Sequence, residues 1–182
     1  MFEKIFWVVL FLVCMIGGCV ALIALISHED IDDLKKSGFK RCEECNLQIA
    51  DLSGANMTGA KLTLSNLEGA NMNGANLYYA NLSFANLTKA NLTGADVSSA
   101  NLRGANLTWA NLTGANLSRT TLYQSDLTRA DFTEANLTEV SFNEANLTGA
   151  DFTGADLAGA RHMSIYLPHQ KGIVAGPPSR KE

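Results

Sequence analysis

The side chains best suited to chemistry stand far apart in this sequence. Cys42-Glu43-Glu44-Cys45 sets two thiols three residues apart, a spacing that serves a redox-active pair, half of a zinc site or a structural disulfide. Zinc takes four ligands, and no second Cys/His pair follows at finger spacing. A thioredoxin-type pair needs a strand-to-helix setting, whereas this one stands at the mouth of a repeat. Residues three apart across a turn have Cα atoms within about 7 Å, which a bridge can span. The pair reads as a disulfide if the domain is exported and as two inert thiols if it is cytoplasmic. His28, His162 and His169 share no neighbourhood with Asp and Ser that suggests a triad. Asp51, Asp96 and Asp156 recur at one position of the repeat and read as hydrogen-bonding, solubilising groups, not as a catalytic dyad. The expectation is therefore a non-enzyme with no metal and no cofactor.

What positions these residues is a five-residue unit, Ala-Asn-Leu-Thr-Gly and its variants. Leu, Met, Val or Phe falls at every fifth residue from Leu47 to Leu157, making 23 units. A period of five is neither the helix's 3.6 nor the strand's 2, so it marks a solenoid. The small residue (Ala50, Ala70, Ala100) and the large one (Leu52, Met72, Leu102) are two apart, so on an extended segment both face inward. The Asn or Asp between them faces outward. The last two residues, often Thr-Gly, supply a bend, because glycine accepts positive φ without strain. Four such bends of about a right angle close a turn of 20 residues. One inward column is then Leu47, Leu67, Leu87, Leu107, Leu127, Leu147, and another is Leu52, Met72, Leu92, Leu112, Phe132, Phe152. The glycines are thus turn residues and not a phosphate loop. Nine Asn-x-Ser/Thr sequons follow from the consensus alone and carry little information on glycosylation.

This pattern resembles the pentapeptide-repeat family, whose motif is Ala-(Asp/Asn)-Leu-X-X, over 115 of 182 residues. The resemblance implies an all-β, right-handed quadrilateral β-helix. Lys61, Thr121 and Ser141 depart from it in the Asn/Asp slot, and Val140 enlarges the small position. The expected division of the chain is 1–27 as anchor or signal, 28–44 as a capping helix with the Cys-x-x-Cys junction, 45–160 as β-helix and 161–182 as cap and tail.

Residues 5–26 hold no charge and no proline. As a helix they would span about 33 Å, enough for a hydrocarbon core of roughly 30 Å. The run exceeds an ordinary signal h-region, so the expectation is one N-terminal transmembrane helix, with a cleaved signal as the competing reading. Lys35, Lys36, Lys40 and Arg41 would place the solenoid in the cytoplasm by charge count. The acidic flank Glu29, Asp30, Asp32 and Asp33 opposes that placement. The chain is also similar to exported family members, in which a leader and a short polar helix run through Cys-x-x-Cys into the repeats. The expected localisation is accordingly a single-pass membrane protein with its repeats on the extracytoplasmic side. Ser27 to Lys36 carries helix signals, an N-cap serine and acidic residues in the first turn, and would cap the first coil.

On the outer surface Leu64, Tyr78, Tyr79 and Phe84 gather into a candidate protein-contact patch, while Trp109 lies on another column with Lys89 and Arg129. The leading function is a membrane-tethered scaffold or protein–protein interaction module. The alternative, drawn from soluble family members thought to imitate duplex DNA, is a cytoplasmic binder of a topoisomerase. With 10 acidic against 5 basic residues over 45–159, the solenoid is only mildly acidic, which counts against the DNA-mimicking alternative, and nucleic acid is not expected as a partner. After Arg161 an apolar cluster, Met163, Ile165, Tyr166 and Leu167, would cover the last turn or pair two rods as a homodimer. The residues beyond it have the composition of a disordered tail.

Overall fold

The computed structural model describes Leu34, Gly38 and residues 40–162. The apolar run 5–26, nearly all of the helix expected over 27–36 and the tail cluster from Met163 lie outside the described residues.

Residues 41–162 wind into six coils of 20 residues. Each unit forms one parallel bridge at its Asn/Asp slot to the residue 20 positions on, from Arg41↔Lys61 through Asn86↔Asn106 to Ser141↔Arg161. Only a few residues separate successive bends, so the faces carry single bridges and not longer strands. The bonding repeats from coil to coil. The Leu87 N–H donates to the Asn106 carbonyl at 2.7 Å, Lys89 N–H to Thr108 at 2.9 Å, and Asn106 N–H back to Ala85 at 3.0 Å. Within the unit, the Ala90 N–H donates to the Leu87 carbonyl at 3.0 Å and closes the bend. Backbone groups are thereby paired along the axis, as a buried chain demands. At a strand spacing of about 4.8 Å, six steps make a rod of roughly 29 Å.

The ladder begins at Arg41, one unit before the start expected at 45, because Cys42 fills a large-residue position and is buried. The core is the four inward columns together with alanine. Leu47, Leu67, Leu87, Leu107 and Leu127 are fully buried, each contributing about 1.5–3 kcal/mol. Near the far end phenylalanine replaces leucine. Phe132 stacks on Phe152 at 5.1 Å, and Phe142 meets Phe152 edge-on at 6.1 Å. The polar residues that enter the small position are satisfied there. Ser65 donates to the Leu62 carbonyl at 2.6 Å, Ser125 to Leu122 at 2.7 Å and Thr120 to Val97 at 2.8 Å. Without those acceptors each hydroxyl would carry an uncompensated desolvation cost.

The outward Asn is a junction. Asn91 Oδ1 accepts from the Thr93 N–H at 3.1 Å and the Thr93 hydroxyl at 2.7 Å, while its amide donates to Asn71 at 3.2 Å. Asp serves where no amide donor is needed, as at Asp126, which accepts from Thr128 and from the Asn146 amide. The slot therefore explains the Asn-Leu-Thr bias by hydrogen bonding within the fold.

Candidate binding surface

The fifth residue of each unit makes the corner and adopts left-handed backbone. Corner glycines have φ from 62° to 72°, yet Ile49, Leu64, Tyr79, Phe84 and Trp109 hold φ between 54° and 62° in the same position. Bulky L-residues are strained there by about 1–2 kcal/mol each. These five are also exposed, between 52% and 63%. They gain little from burial, and glycine would suit the backbone better. The outer surface therefore departs from the repeat in a direction that neither core packing nor turn chemistry requires.

The corners form four columns, designated by their members on the second coil. The Leu64 corner continues through Phe84 to Gly104, and the neighbouring Tyr79 corner continues to Ser99, Arg119 and Glu139. Leu64, Tyr78, Tyr79 and Phe84 thus come together across one face of the second and third coils. Tyr78 and Tyr79 meet edge-on at 4.5 Å. Desolvation first, then the Tyr79 neighbour, holds the Tyr78 hydroxyl above the usual tyrosine value of 10.0. Phe84 leans along the axis and covers Gly104, where a Cβ would stand 2.6 Å from two ring carbons. Gly104 is thus the residue that lets the ring lie down.

Ile49, on the first coil, belongs to the Gly69 corner with Lys89, Trp109 and Arg129, away from the other apolar residues. The sequence reading passed over it, although its fifth-position register was available. The Arg129 guanidinium sits 4.6 Å over the Trp109 ring, in keeping with local packing of that indole. Arg103 caps Tyr123 at 4.9 Å, and Gln124 and Tyr123 both donate to Glu144, at 2.7 and 3.3 Å. Arg119 and Glu139 pair at 3.1 Å, both well exposed.

Cys42 and Cys45 are joined by a disulfide across the first bend, with Cα atoms 5.3 Å apart. Among the described residues no three His, Cys, Asp or Glu side chains gather as a metal site. No helix among the described residues is long and apolar enough to cross a membrane.

A stack of single parallel bridges around a leucine and alanine core, with its distinguishing residues on the outer corners, defines a β-helical solenoid. Its type is settled by the family model for pentapeptide repeats, which matches residues 41–77, 65–94, 80–119, 90–129 and 125–161. The chain belongs to the pentapeptide-repeat family, whose coil is a right-handed β-helix and whose members are in general non-enzymatic. Similar solved structures include Rfr23, a pentapeptide repeat protein from the cyanobacterium Cyanothece 51142. It is 28% identical, over 72% of this chain and 96% of that one, with a TM-score of 0.51. A trypsin-treated form of QnrB1, a plasmid-mediated fluoroquinolone resistance protein, is 22% identical over 67% of this chain and 64% of that one. Its TM-score of 0.50 is a likeness of fold. A pentapeptide repeat protein of the Arabidopsis thaliana thylakoid lumen is 36% identical over 62% and 68%, with a TM-score of 0.43. No curated protein matches the chain.

Proposed function

We propose that the chain is a non-catalytic scaffold tethered to a membrane by residues 5–26, its rod standing on the extracytoplasmic side and holding a partner protein along its sides. The observation that carries the binding role is the set of bulky apolar residues at left-handed corners. Ile49, Leu64, Tyr79, Phe84 and Trp109 share their left-handed backbone with polar corners but differ from them in being large, apolar and more than half exposed, and apolar surface kept exposed in this way points to contact with something else. The uncharged 22-residue run supports the tether. The Cys42–Cys45 bridge supports an oxidising compartment.

Two measurements test this reading. Alkaline carbonate should leave the full chain in the membrane pellet, and protease added outside intact cells should digest the rod. A chain that is washed off, or a rod that is shielded until the cells are lysed, refutes it. The acidic residues between Asp126 and Asp156 favour the topoisomerase-binding alternative. A soluble cytoplasmic product that alters gyrase supercoiling would put that reading first.

A further inference from the structure

Departures from the repeat gather on one face of the rod. On three faces the outward slot holds Asn or Asp at every level from Asn46 to Asp156. The fourth face lies between the Tyr79 and Leu64 corners, and its levels are 59–64, 79–84, 99–104, 119–124 and 139–144. Its slot holds Lys61, Thr121 and Ser141 around Asn81 and Asn101, with Arg41 and Arg161 at the ends. Elsewhere slot amides tie one coil to the next, as from Asn86 to Asn66 and from Asn136 to Asn116, both at 3.2 Å. Among the described residues no slot side chain from Lys61 to Ser141 bonds to the next. Lys61 has no acceptor to offer the Asn81 amide. The Asn81 and Asn101 amides and the Thr121 and Ser141 hydroxyls therefore have no partner within the rod. Hydrogen bonding in the coil explains the slot on three faces and fails to explain it on this one.

The two halves of this face differ in kind. Level 79–84 has Tyr79 and Phe84 at its corners and Ser83, only 8% exposed, between them. The level before it adds Lys61 and Leu64. The far half carries Arg119 and Tyr123, then Glu139 and Glu144 at the two corners of the 139–144 level. Between the halves, level 99–104 is low, and Arg103, its one long side chain, is drawn off onto Tyr123 at 4.9 Å. Two such faces laid together antiparallel, with a two-fold axis across level 99–104, bring unlike halves into contact. Level 79–84 then meets level 119–124 of the second copy. There Arg119 of the second copy comes over the Tyr79 ring, and its Tyr123 enters the gap above Ser83. The Asn81 amide meets the Thr121 hydroxyl of the second copy. Lys61 lies between the carboxylates of Glu139 and Glu144 of the second copy. On the axis the two Asn101 amides face each other, and the Phe84 rings, each lying over its own Gly104, close from both sides. At the ends Arg161 comes opposite Arg41, with Glu43 and Glu44 beside it. A parallel pairing would instead set Lys61 against Lys61 and Glu139 against Glu144.

We propose that this face is the interface of an antiparallel homodimer, centred on Asn101 and Gly104. The pairing presupposes that the Leu64, Tyr79 and Phe84 corners contact protein, as proposed above, and supplies a second copy of the chain as that protein. Ile49 and Trp109, on another corner column, stay outside it. Residues 27–40 reach at most about 48 Å when fully extended, more than the rod's roughly 29 Å. Both chains can therefore stay anchored in one bilayer, with the paired rods lying along it.

The test uses the full chain in detergent, in a C14S/C19S background. Light scattering should find a dimer. A short bifunctional maleimide should join two chains carrying K61C/S141C, and should join neither K61C chains nor S141C chains alone. Within one rod those positions are four coils apart, about 19 Å, so the link forms only between copies. K61E and E144K should each weaken the dimer at least about tenfold, and K61E/E144K should restore it. A chain that is monomeric at every concentration overturns the inference. Cross-linking of K61C chains with themselves overturns the antiparallel register, and a double variant as weak as the single ones overturns the part given to Lys61. The two readings fail separately. A monomer that stays in the carbonate pellet refutes the pairing and leaves the tethered scaffold with another partner, whereas a chain released by carbonate that still forms the K61C/S141C link refutes the tether.

Discussion

Replacing Gly104 by alanine should cost more than the same change at Gly114, though both have φ of 63°. At Gly114 a new Cβ meets nothing within 4 Å, so only backbone strain counts. That strain is about 1–2 kcal/mol, offset by about 0.4–1 kcal/mol from a stiffer unfolded chain, for a net loss of about 0.5–1 kcal/mol. At Gly104 the Cβ would come within 2.6 Å of two Phe84 carbons, against an ordinary contact of about 3.5–4.0 Å. The ring is 52% exposed and can swing out, forfeiting its remaining burial, worth about 1 kcal/mol. The total is about 1.5–2 kcal/mol. For a coil of roughly 120 residues, about 1 kcal/mol corresponds to about 4 °C in Tm. Thermal unfolding of the detergent-solubilised full chain, followed by circular dichroism, should therefore fall about 2–4 °C for G114A and about 6–8 °C for G104A. In an F84G background the excess at Gly104 should vanish. Equal shifts for the two alanines, or an excess that survives F84G, would refute the contact and the reason given for glycine there.

Three further outcomes follow from other parts of the coil. C42S/C45S should lower Tm by no more than a loss of about 2 kcal/mol implies, because the loop closed is short, and should leave the β spectrum intact. Free alkylation of both thiols in protein taken from cells without reductant would show that the bridge is absent there. E139A should change stability by less than about 0.5 kcal/mol, since its partner Arg119 is 71% exposed; a larger loss would mean the pair is held more tightly than its exposure allows. The side chain and N–H of Ser53 donate to Asp51, with the Asn71 amide adding to them, and hold its carboxyl below 3.8. A folded pKa depressed in this way stabilises the fold above 3.8, and the contribution is lost as pH falls through the lower folded value. Carboxyl NMR should find the Asp51 midpoint below 3.8, and a midpoint at or above it would contradict the bonding described.

Most of the coil was readable because the repeat states its own register. The inward columns at steps of 20 match the bridges, and every leucine assigned inward from Leu47 to Leu147 is buried. The first unit was harder to see, since Cys42 does the work of a leucine and Lys40 stands where alanine would. Glycine is frequent at the fifth position, and fourteen other residues from Glu44 to Glu144 take positive φ at the same corner. The inter-coil hydrogen bonds hold the backbone in this conformation, overriding the preferences of single residues. That Leu64 and Phe84 share a corner column, next to that of Tyr79, was legible from the register. The lean of Phe84 over Gly104 and the Arg103–Tyr123 contact were not, because side-chain tilt along the axis leaves no trace in a periodicity.

The 20-residue register also determines what insertions and deletions can do. Duplicating 20 residues adds a coil and moves everything beyond it along the axis by about 4.8 Å without turning it. Duplicating five shifts every later residue to the next face, so that Trp109 and Arg129 would point a quarter-turn away from Ile49, while the core columns remain filled. The chain thus behaves as an indexed shaft, with separate settings for length and for bearing. Such a rod can re-aim its distal contacts in ninety-degree clicks, each taken without disturbing the coil that anchors it.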